Sequence, residues 1–495
     1  MSKTDVLPLN AETLPALRSR ITVPEYDRES ALPRILHLGV GGFHRAHMAY
    51  LTDALLASGR GNWVINGVGL TPHDERMAAT MESQDGLYTL VSRSAADEQA
   101  RVVGSITNYF FEPDGAGSLA HRAAEEDYRI FSLTVTENGY HYTGSDRHLD
   151  TTAPEIAHDL QHPDEPQSAV GLVFRVAQLR IRGGRRLPTF LSCDNLPQNG
   201  NVLRGLVLEF GRHVDPETTM VLEAQGCFPN TMVDRITPAT EDKDRDYVRD
   251  TWGIEDSWPV VCEDFIQWFI EDEFSYGRPA WEAVGAVIVE DVTPYEYMKI
   301  RLLNGAHSAL AYIAYLLGFR NVDDAMADAD VRAFVRRYMK EMEPSVGEVP
   351  GVDVEAYQEK LIERFSNPAI RDQVLRLCED GSRKIPNMML DPLSELIPRG
   401  LGYRHAAFAM AAWIRFLQGT DPEGNEIPIK DPNAAQLSEA ARRCSSDVRP
   451  FLALDTVFSD EIRSHDTLVN EMSQWFTTIA ASGPRAAIRR LLEGA

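Results

Sequence analysis

Hydrophobic and polar positions along the chain follow two different rhythms. In the first part the apolar residues come in short runs: Arg34–Leu38, Trp63–Leu70, Leu87–Val91, Val102–Ile106, Arg129–Val135 and Pro188–Ser192, with Met220–Ala224 read the same way. Runs of that kind suit strands covered on both faces, as in a parallel sheet. A helical pattern follows the first run as far as Leu56. Strands alternating with helices predict an α/β layer structure. Residues 1 to 33 read as an arm with one short helix.

From about residue 291 the strand-like runs stop. Val331–Met342, Val354–Phe365, Ile370–Cys378, Tyr403–Gln418, Ala434–Arg443 and Ala487–Leu492 all have helical period. The expected organisation is an α/β fold: a Rossmann-like domain over residues 1–290, followed by a mostly α-helical domain over residues 291–495.

The second part opens with a helix from Val292 to Phe319. Thr293 and Pro294 form an N-cap followed by proline at the first helical position, and Gly318 marks the stop. Leu302, Leu303, Ala306, Ala309, Leu310, Ile313, Ala314 and Leu317 cover most of its circumference, so it should be buried. Yet it carries Lys299, Asn304 and His307. At about 100° per residue these fall within one arc of about 140°, with Glu296 one turn earlier on an adjacent face. Polar groups on a buried helix are costly unless paired or used. Two readings fit: satisfied core groups, with Lys299 reaching out at the helix start, or a lysine, an amide and an imidazole facing a ligand. A membrane span does not fit, because the clean apolar run is shorter than the roughly 18 residues one needs.

The first strand runs into Gly39-Val40-Gly41-Gly42-Phe43-His44-Arg45-Ala46-His47. Strand, glycine turn and helix form the setting in which a G-x-G pattern carries meaning. The first glycine permits the tight turn, and the second lets a backbone amide approach a pyrophosphate at the positive end of the helix. His44 occupies the third-glycine position, so the fingerprint is incomplete, and an ordinary strand–helix turn fits the same residues. Asp74 follows the second strand, where an acid can bond the adenosine ribose hydroxyls and reject a 2′-phosphate. Its distance from the glycines exceeds the usual spacing of about 20 residues.

Three further segments put polar side chains just past strand ends, the edge where open α/β sheets bind ligands: Thr136-Glu137-Asn138-Gly139-Tyr140, Cys193 to Gly200 and Phe228 to Arg235. Structural turns fit these as well. Arg175 to Arg186 is a basic patch that reads as a solvated helix end.

Composition narrows the classes. An apolar fraction of 43% over 495 residues supports a full globular core. The net charge of -25, from 74 acidic against 49 basic residues, disfavours nucleic acid and anionic membranes as partners. The cysteines, Cys193, Cys227, Cys262, Cys378 and Cys444, are odd in number and include no C-x-x-C pair. That points to a reduced, cytoplasmic protein. The segment MSKTDVLPLNAETLP has no apolar stretch of a secretion signal. His44 and His47 lie in the glycine turn with no further ligand evident, so no metal site is expected.

Several segments together resemble one family. Lys299-x4-Asn304-x2-His307, preceded by Thr293-Pro294-Tyr295-Glu296, is similar to the signature of the polyol-specific long-chain dehydrogenases and reductases. GVGGFHRAH at 39–47, TENGY at 136–140, SCDNLPQNG at 192–200, FPNTMVDRITP at 228–238, WPVVCEDFIQW at 258–268, DVTPYEYMK at 291–299, ERFSNPAIRDQ at 363–373 and DGSRK at 380–384 resemble it too. The motifs span most of the chain. Asn195 to Gly200 and Pro294 to Glu296 fit the mannitol branch better than the uronate reductases, while 380–421 is also close to fructuronate reductase.

The resemblance implies NAD as cofactor, no metal, a polyol or ketose as substrate and a monomeric enzyme. It implies that Lys299 is the general base, that Asn195 and Asn304 hold the substrate oxygen, that His307 positions substrate or lysine, and that Glu296 relays the proton. Asp234, Arg376 and Lys384 match positions that bind polyol hydroxyls. Gly39, Val40, Gly41, Gly42, Phe43, His44 and Asp74 match the cofactor site. The chemistry agrees: free lysine titrates near 10.4, and burial lowers that value toward a working base. Two amides aimed at an alkoxide form an oxyanion hole.

His73 departs from the mannitol branch, where that position is often acidic. With Asp74 kept, NAD is expected with some tolerance of NADP. The implied reaction is D-mannitol with NAD to D-fructose with NADH. D-fructuronate/D-mannonate or D-arabinitol chemistry is the alternative within the family, and a non-catalytic sugar or nucleotide sensor is the alternative outside it.

Overall fold

Neighbouring residues on the same strand belong to different hydrophobic cores. Ile35, Ile130 and Leu191 pack with Ile65, Met77 and Met81, whereas Leu36, Phe131 and Phe190 pack with Leu119, Leu172, Val176 and Leu203. Side chains alternate across a strand, so a sheet whose successive residues are all apolar must be covered on both faces.

The computed structural model of the chain describes residues 5–113, 116–144 and 146–494. The chain forms two compact units, Met1–Val292 and Thr293–Ala495. The centre of the first is a five-stranded sheet of β1 (Leu32–Leu38), β2 (Trp63–Gly69), β3 (Ile106–Phe111), β4 (Ile130–Leu133) and β5 (Thr189–Ser192). All four pairings are parallel and the spatial order is β5-β4-β1-β2-β3. The chain moves outward from β1 through β2 to β3, then returns to the other side of β1 as β4. The order therefore reverses between β1 and β4, which is where doubly wound sheets bind ligands.

After β1 come α1 (Gly42–Ala46) and α2 (Met48–Ala57); α3 (Glu75–Ser83) follows β2. Residues of α2 and α3 line one face. The opposite face is lined by α4 (Gly117–Glu125), α5 (Ala169–Arg182) and α6 (Asn199–Val214). A smaller sheet is formed by β6 (Thr231–Asp234), β7 (Gln267–Glu271) and β8 (Val287–Val289). The Val102–Ile106 run divides between two strands, Glu98–Val103 and β3.

Met220–Ala224, expected as a strand, lies inside a helix, Pro216–Gln225. Asp215 caps it, accepting the Thr218 backbone N–H at 3.1 Å and its hydroxyl at 2.6 Å, and Pro216 takes the first position. A short apolar run does not by itself separate strand from helix; the capping pair before it decides. The basic patch is also partly internal. Arg175 is buried and pairs with Asp164 at 2.6 Å. Arg180 is buried and donates to the carbonyls of Ala123, Glu126 and Tyr128.

The second unit is helical, so the α/β Rossmann-like part and the mostly α-helical part are both present. It opens with α7 (Thr293–Met298), a wide π turn over Lys299–Asn304, and α8 (Gly305–Leu316), in one continuous path. Further helices are α9 (Ala329–Val346), α10 (Val354–Phe365), α11 (Val374–Cys378), α12 (Gly381–Ile385), α13 (Arg404–Leu417) and α14 (Asp466–Glu493). The last is broken at Gly483, φ 80°, before Pro484. Tyr312 on α8 meets Trp413 and Phe416 on α13, ring centroids 6.2 and 5.4 Å apart. The expected helix at Ile370–Cys378 begins only at Val374, because Arg371 takes a positive φ of 51°.

The π turn corrects the helical arithmetic. In it hydrogen bonds run from i to i+5, so each residue turns less than about 100° and the arc inferred for Lys299 to His307 does not hold through it. A second π segment, Pro386–Leu390, approaches the same place. A Cβ at Gly305 would lie 3.1 Å from the Met388 carbonyl oxygen and 2.9 Å from the Tyr338 hydroxyl. A side chain at this position would be tight against the second widened turn.

Candidate active site

The glycine turn sits at the reversal of strand order. Gly39 ends β1 with φ 87°, a conformation that disfavours a side chain. A Cβ there would also lie 2.2 Å from the carbonyl oxygen of Thr134, which follows β4. Gly41 is different: it is exposed, and a Cβ on it would have nothing within 4 Å. Open space over a backbone amide at a switch point is what an approaching pyrophosphate requires.

His44, at the third-glycine position, does not face that space. Its ring is 1% exposed and stacks on that of His37, centroids 3.4 Å apart and planes 14° from parallel. The imidazole fills the gap between α1 and β1 that close packing on a glycine would abolish. His37 contacts Ser132 Oγ at 2.8 Å and Thr134 Oγ1 at 3.0 Å. Burial pushes the His37 imidazole down to about 3 and the His44 imidazole well below its ordinary value. Val40 is buried too. What Val40 and His44 can give a ligand therefore comes from their main chain. Phe43 is half-buried and stacks on His47 at 4.9 Å. The helix after the turn, α1, is short and breaks at His47, φ −117° and ψ −96°.

Asp74 ends a 3-10 turn, Pro72–Asp74, just past β2. Its Oδ2 accepts from the Thr71 backbone N–H and hydroxyl, both at 2.9 Å. A Cβ on Gly69 would meet the Asp74 Cβ at 2.5 Å, so the strand end is shaped to admit this residue. His73 beside it is exposed.

Asn195 is exposed at the end of β5. The loop it belongs to is tied down by its neighbours. Buried Asn199 donates to the Asp194 and Thr231 carbonyls at 3.0 and 2.9 Å, and its own oxygen accepts from the Thr231 N–H at 2.9 Å. A Cβ on Gly200 would lie 2.4 Å from the Phe228 carbonyl oxygen. Asp234, the last residue of β6, is 5% exposed.

In the second unit Glu296, Lys299, Asn304 and His307 share one helical path. Glu296 and Lys299 are 4% and 6% exposed, and Asn304 and His307 are half-buried. The His307 ring stacks on Phe365 of α10, centroids 4.0 Å apart. Arg376 on α11 is held by Asp372 through Nε at 2.8 Å and Nη2 at 2.5 Å. Lys384 on α12 is near enough to feel the Arg376 charge, and burial pushes its amine down. Arg376 and Lys384 thus stand on successive helices, eight residues apart in the sequence.

Two family models match the chain, the mannitol dehydrogenase Rossmann domain over residues 33–283 and the mannitol dehydrogenase C-terminal domain over residues 291–480. The chain belongs to the mannitol dehydrogenase family. It is 42% identical to mannitol dehydrogenase 2 of Saccharomyces cerevisiae over 99% of each chain. It is 40% identical to mannitol 2-dehydrogenase of Aspergillus terreus over 96% of each. The solved structure of Pseudomonas fluorescens mannitol 2-dehydrogenase in ternary complex with NAD and D-mannitol superposes with a TM-score of 0.90, at 39% identity, over 99% of this chain and 100% of that one.

Two features of this mannitol dehydrogenase family member escaped the sequence reading. The π turn under Lys299 has no periodic signal. Asp194, inside a quoted motif, makes contacts that only the tertiary structure supplies. Among the described residues no helix is long and apolar enough to cross a membrane.

Proposed function

We propose that the chain interconverts D-mannitol and D-fructose, with Lys299 as the base. It is an enzyme of the NAD-dependent polyol dehydrogenase class, by family and by its likeness to the mannitol 2-dehydrogenases. The observation that carries the finer reading is Lys299, 6% exposed on a widened helical turn that ends in Asn304. π turns concentrate at functional sites, and a lysine removed from water is a better base near neutral pH.

The residues divide the work as follows. Lys299 takes the carbinol proton from the C2 hydroxyl, and Glu296 passes it onward. Asn195 and Asn304 donate N–H groups to the same oxygen as negative charge grows on it. His307 orients the substrate or the lysine. Asp234, Arg376 and Lys384 bond the remaining hydroxyls. The main chain of Gly39, Val40, Gly41, Gly42, Phe43 and His44, together with Asp74, would hold NAD, which would supply the acceptor for the hydride leaving C2. Residues 1–290 form the NAD-binding domain and also supply Asn195 and Asp234, and residues 291–495 carry the other catalytic and substrate-binding groups. The chain works as a cytoplasmic monomer without a metal.

A second reading rests on Arg383, exposed next to Lys384 on α12. That cation suits a substrate carboxylate, as in D-mannonate. Initial rates of NADH formation on D-mannitol, D-arabinitol and D-mannonate separate the readings. D-mannitol is expected to give the highest kcat/KM. Turnover of mannonate alone or of D-arabinitol alone overturns the mannitol assignment, and turnover of none of the three assigns the site to another polyol.

A further inference from the structure

The ends of β4 and β5 are joined by a carboxylate that the proposed chemistry does not use. Asp194 is 7% exposed. Its Oδ1 accepts the Thr136 N–H at 2.8 Å. Its Oδ2 accepts the Val135 N–H at 3.1 Å and the Tyr140 hydroxyl at 2.8 Å. The Tyr140 oxygen lies 2.6 Å from Ser192 Oγ, which accepts the Asp194 backbone N–H at 3.3 Å. The bonds close a ring: Asp194 amide to Ser192, Ser192 to Tyr140, Tyr140 to the Asp194 carboxylate.

All three donors to the carboxylate are neutral. Burial pushes the Asp194 carboxyl up to about 6. An anion buried against neutral donors is costly to keep, so its position calls for a use. The residue it holds is itself strained. Thr136 has φ 63° and ψ 167°, a region that a β-branched side chain rarely enters. Such strain persists where surrounding contacts enforce it, and it gathers at ligand sites. Thr134, two residues earlier, supplies the carbonyl that closes on Gly39. Asn195 is the residue after Asp194.

We propose that Asp194 is a positioning residue, whose carboxylate ties the ends of the adjacent strands β4 and β5 beside the switch point and so sets the direction of Asn195. This rests on the reading that Asn195 holds the substrate oxygen. Freezing the peptide on one side of Asn195 through three bonds fixes where its amide can point, and small errors in the aim of an oxyanion donor are expensive.

The test is a double-mutant cycle in the full-length enzyme, with Asp194→Asn, Asn195→Ala and the pair. Asp194→Asn keeps the shape but offers an amide where two N–H groups need acceptors. It should stay folded by circular dichroism and bind NADH within about threefold of wild type, while kcat on D-mannitol falls at least about tenfold. In the Asn195→Ala background the same change should cost less than about twofold, because the group it aims is gone. A wild-type kcat for Asp194→Asn, or a loss that recurs in full without Asn195, overturns the proposal. A wild-type kcat for Asn195→Ala sinks the reading of Asn195 and this proposal with it. If Asp194→Asn does not fold, Tyr140→Phe takes its place, since it removes one donor and leaves both backbone bonds. It should lower kcat about threefold or more, and only when Asn195 is present; an unchanged kcat, or a loss independent of Asn195, overturns the proposal.

Discussion

A Cβ on Gly39 would stand 2.2 Å from the carbonyl oxygen of Thr134. The two residues end adjacent parallel strands, and their contact closes the sheet at the point where its strand order reverses. Gly39→Ala meets that oxygen and must also hold φ 87°. Left-handed backbone costs a non-glycine residue about 1–2 kcal/mol before any clash. The turn should move, and the NADH dissociation constant should rise by about tenfold or more, since 1.4 kcal/mol is a factor of ten. Fluorescence titration with NADH measures it. Gly41→Ala, in open space, should leave the fold intact and act on binding alone. Wild-type affinity in both variants would remove the cofactor from this turn.

Lys299→Ala separates catalysis from binding. A positioned acid or base contributes roughly 10²–10⁴ in rate, so kcat on D-mannitol should fall within that range while NADH affinity stays near wild type. A variant that keeps its rate shows that another group takes the proton. One that loses NADH binding equally shows that the lysine is structural.

The His37–His44 stack makes the first unit sensitive to acid. Both rings are buried, and His37 is pushed down to about 3. In the unfolded chain a histidine titrates near 6.5. Between those values the unfolded state binds more protons than the folded state, so stability is complete above about pH 6.5 and falls as pH drops toward 3. His44 has no partner on either ring nitrogen, so His44→Leu should be close to neutral at about pH 7.5. It should flatten the decline between about pH 6.5 and 4. Urea unfolding at a series of pH values tests this, and parallel curves for the two proteins would show that the stack does not carry the acid sensitivity.

Asp74 should set the choice between NAD and NADP. Its Oδ2 is engaged by Thr71, and a carboxylate here repels a 2′-phosphate. Asp74→Ser is expected to lower kcat/KM with NAD and raise it with NADP, narrowing the ratio by about tenfold, close to 1.4 kcal/mol. Exposed His73 adds no anion, so wild type should use NADP measurably. An unaltered ratio in the variant would place the discrimination elsewhere.

Much of the architecture was legible because burial leaves a periodic trace. Runs such as Ile35–Leu36 and Phe190–Leu191 send successive side chains to opposite faces, so helices had to cover both. The change of rhythm near residue 291 marked where strands give way to helices. The motifs around Gly39, Asn195 and Lys299 pointed to the family that the comparison with mannitol dehydrogenases bears out. Met220–Ala224 was misread because four apolar residues around Glu223 fit either period, and the deciding signal, Asp215 and Pro216, lies outside the run.

By itself, then, the amino-acid order determined which segments are buried and which period they adopt, the Met220–Ala224 run and the Arg175–Arg186 patch excepted, and which glycines must stand at the turn. These depend on residues near one another in the chain. Tertiary structure alone decided that Lys299 sits on a π turn packed near Met388, that His44 stacks on His37 and faces away from the open side of the glycine turn, and that Asp194 holds Val135 and Thr136. The first and third join groups far apart in sequence, and the second folds two rings seven residues apart onto one another across the turn. A hydrogen bond or a stacked ring depends on distance and angle, and those exist only once the strand order has carried position 136 alongside position 194.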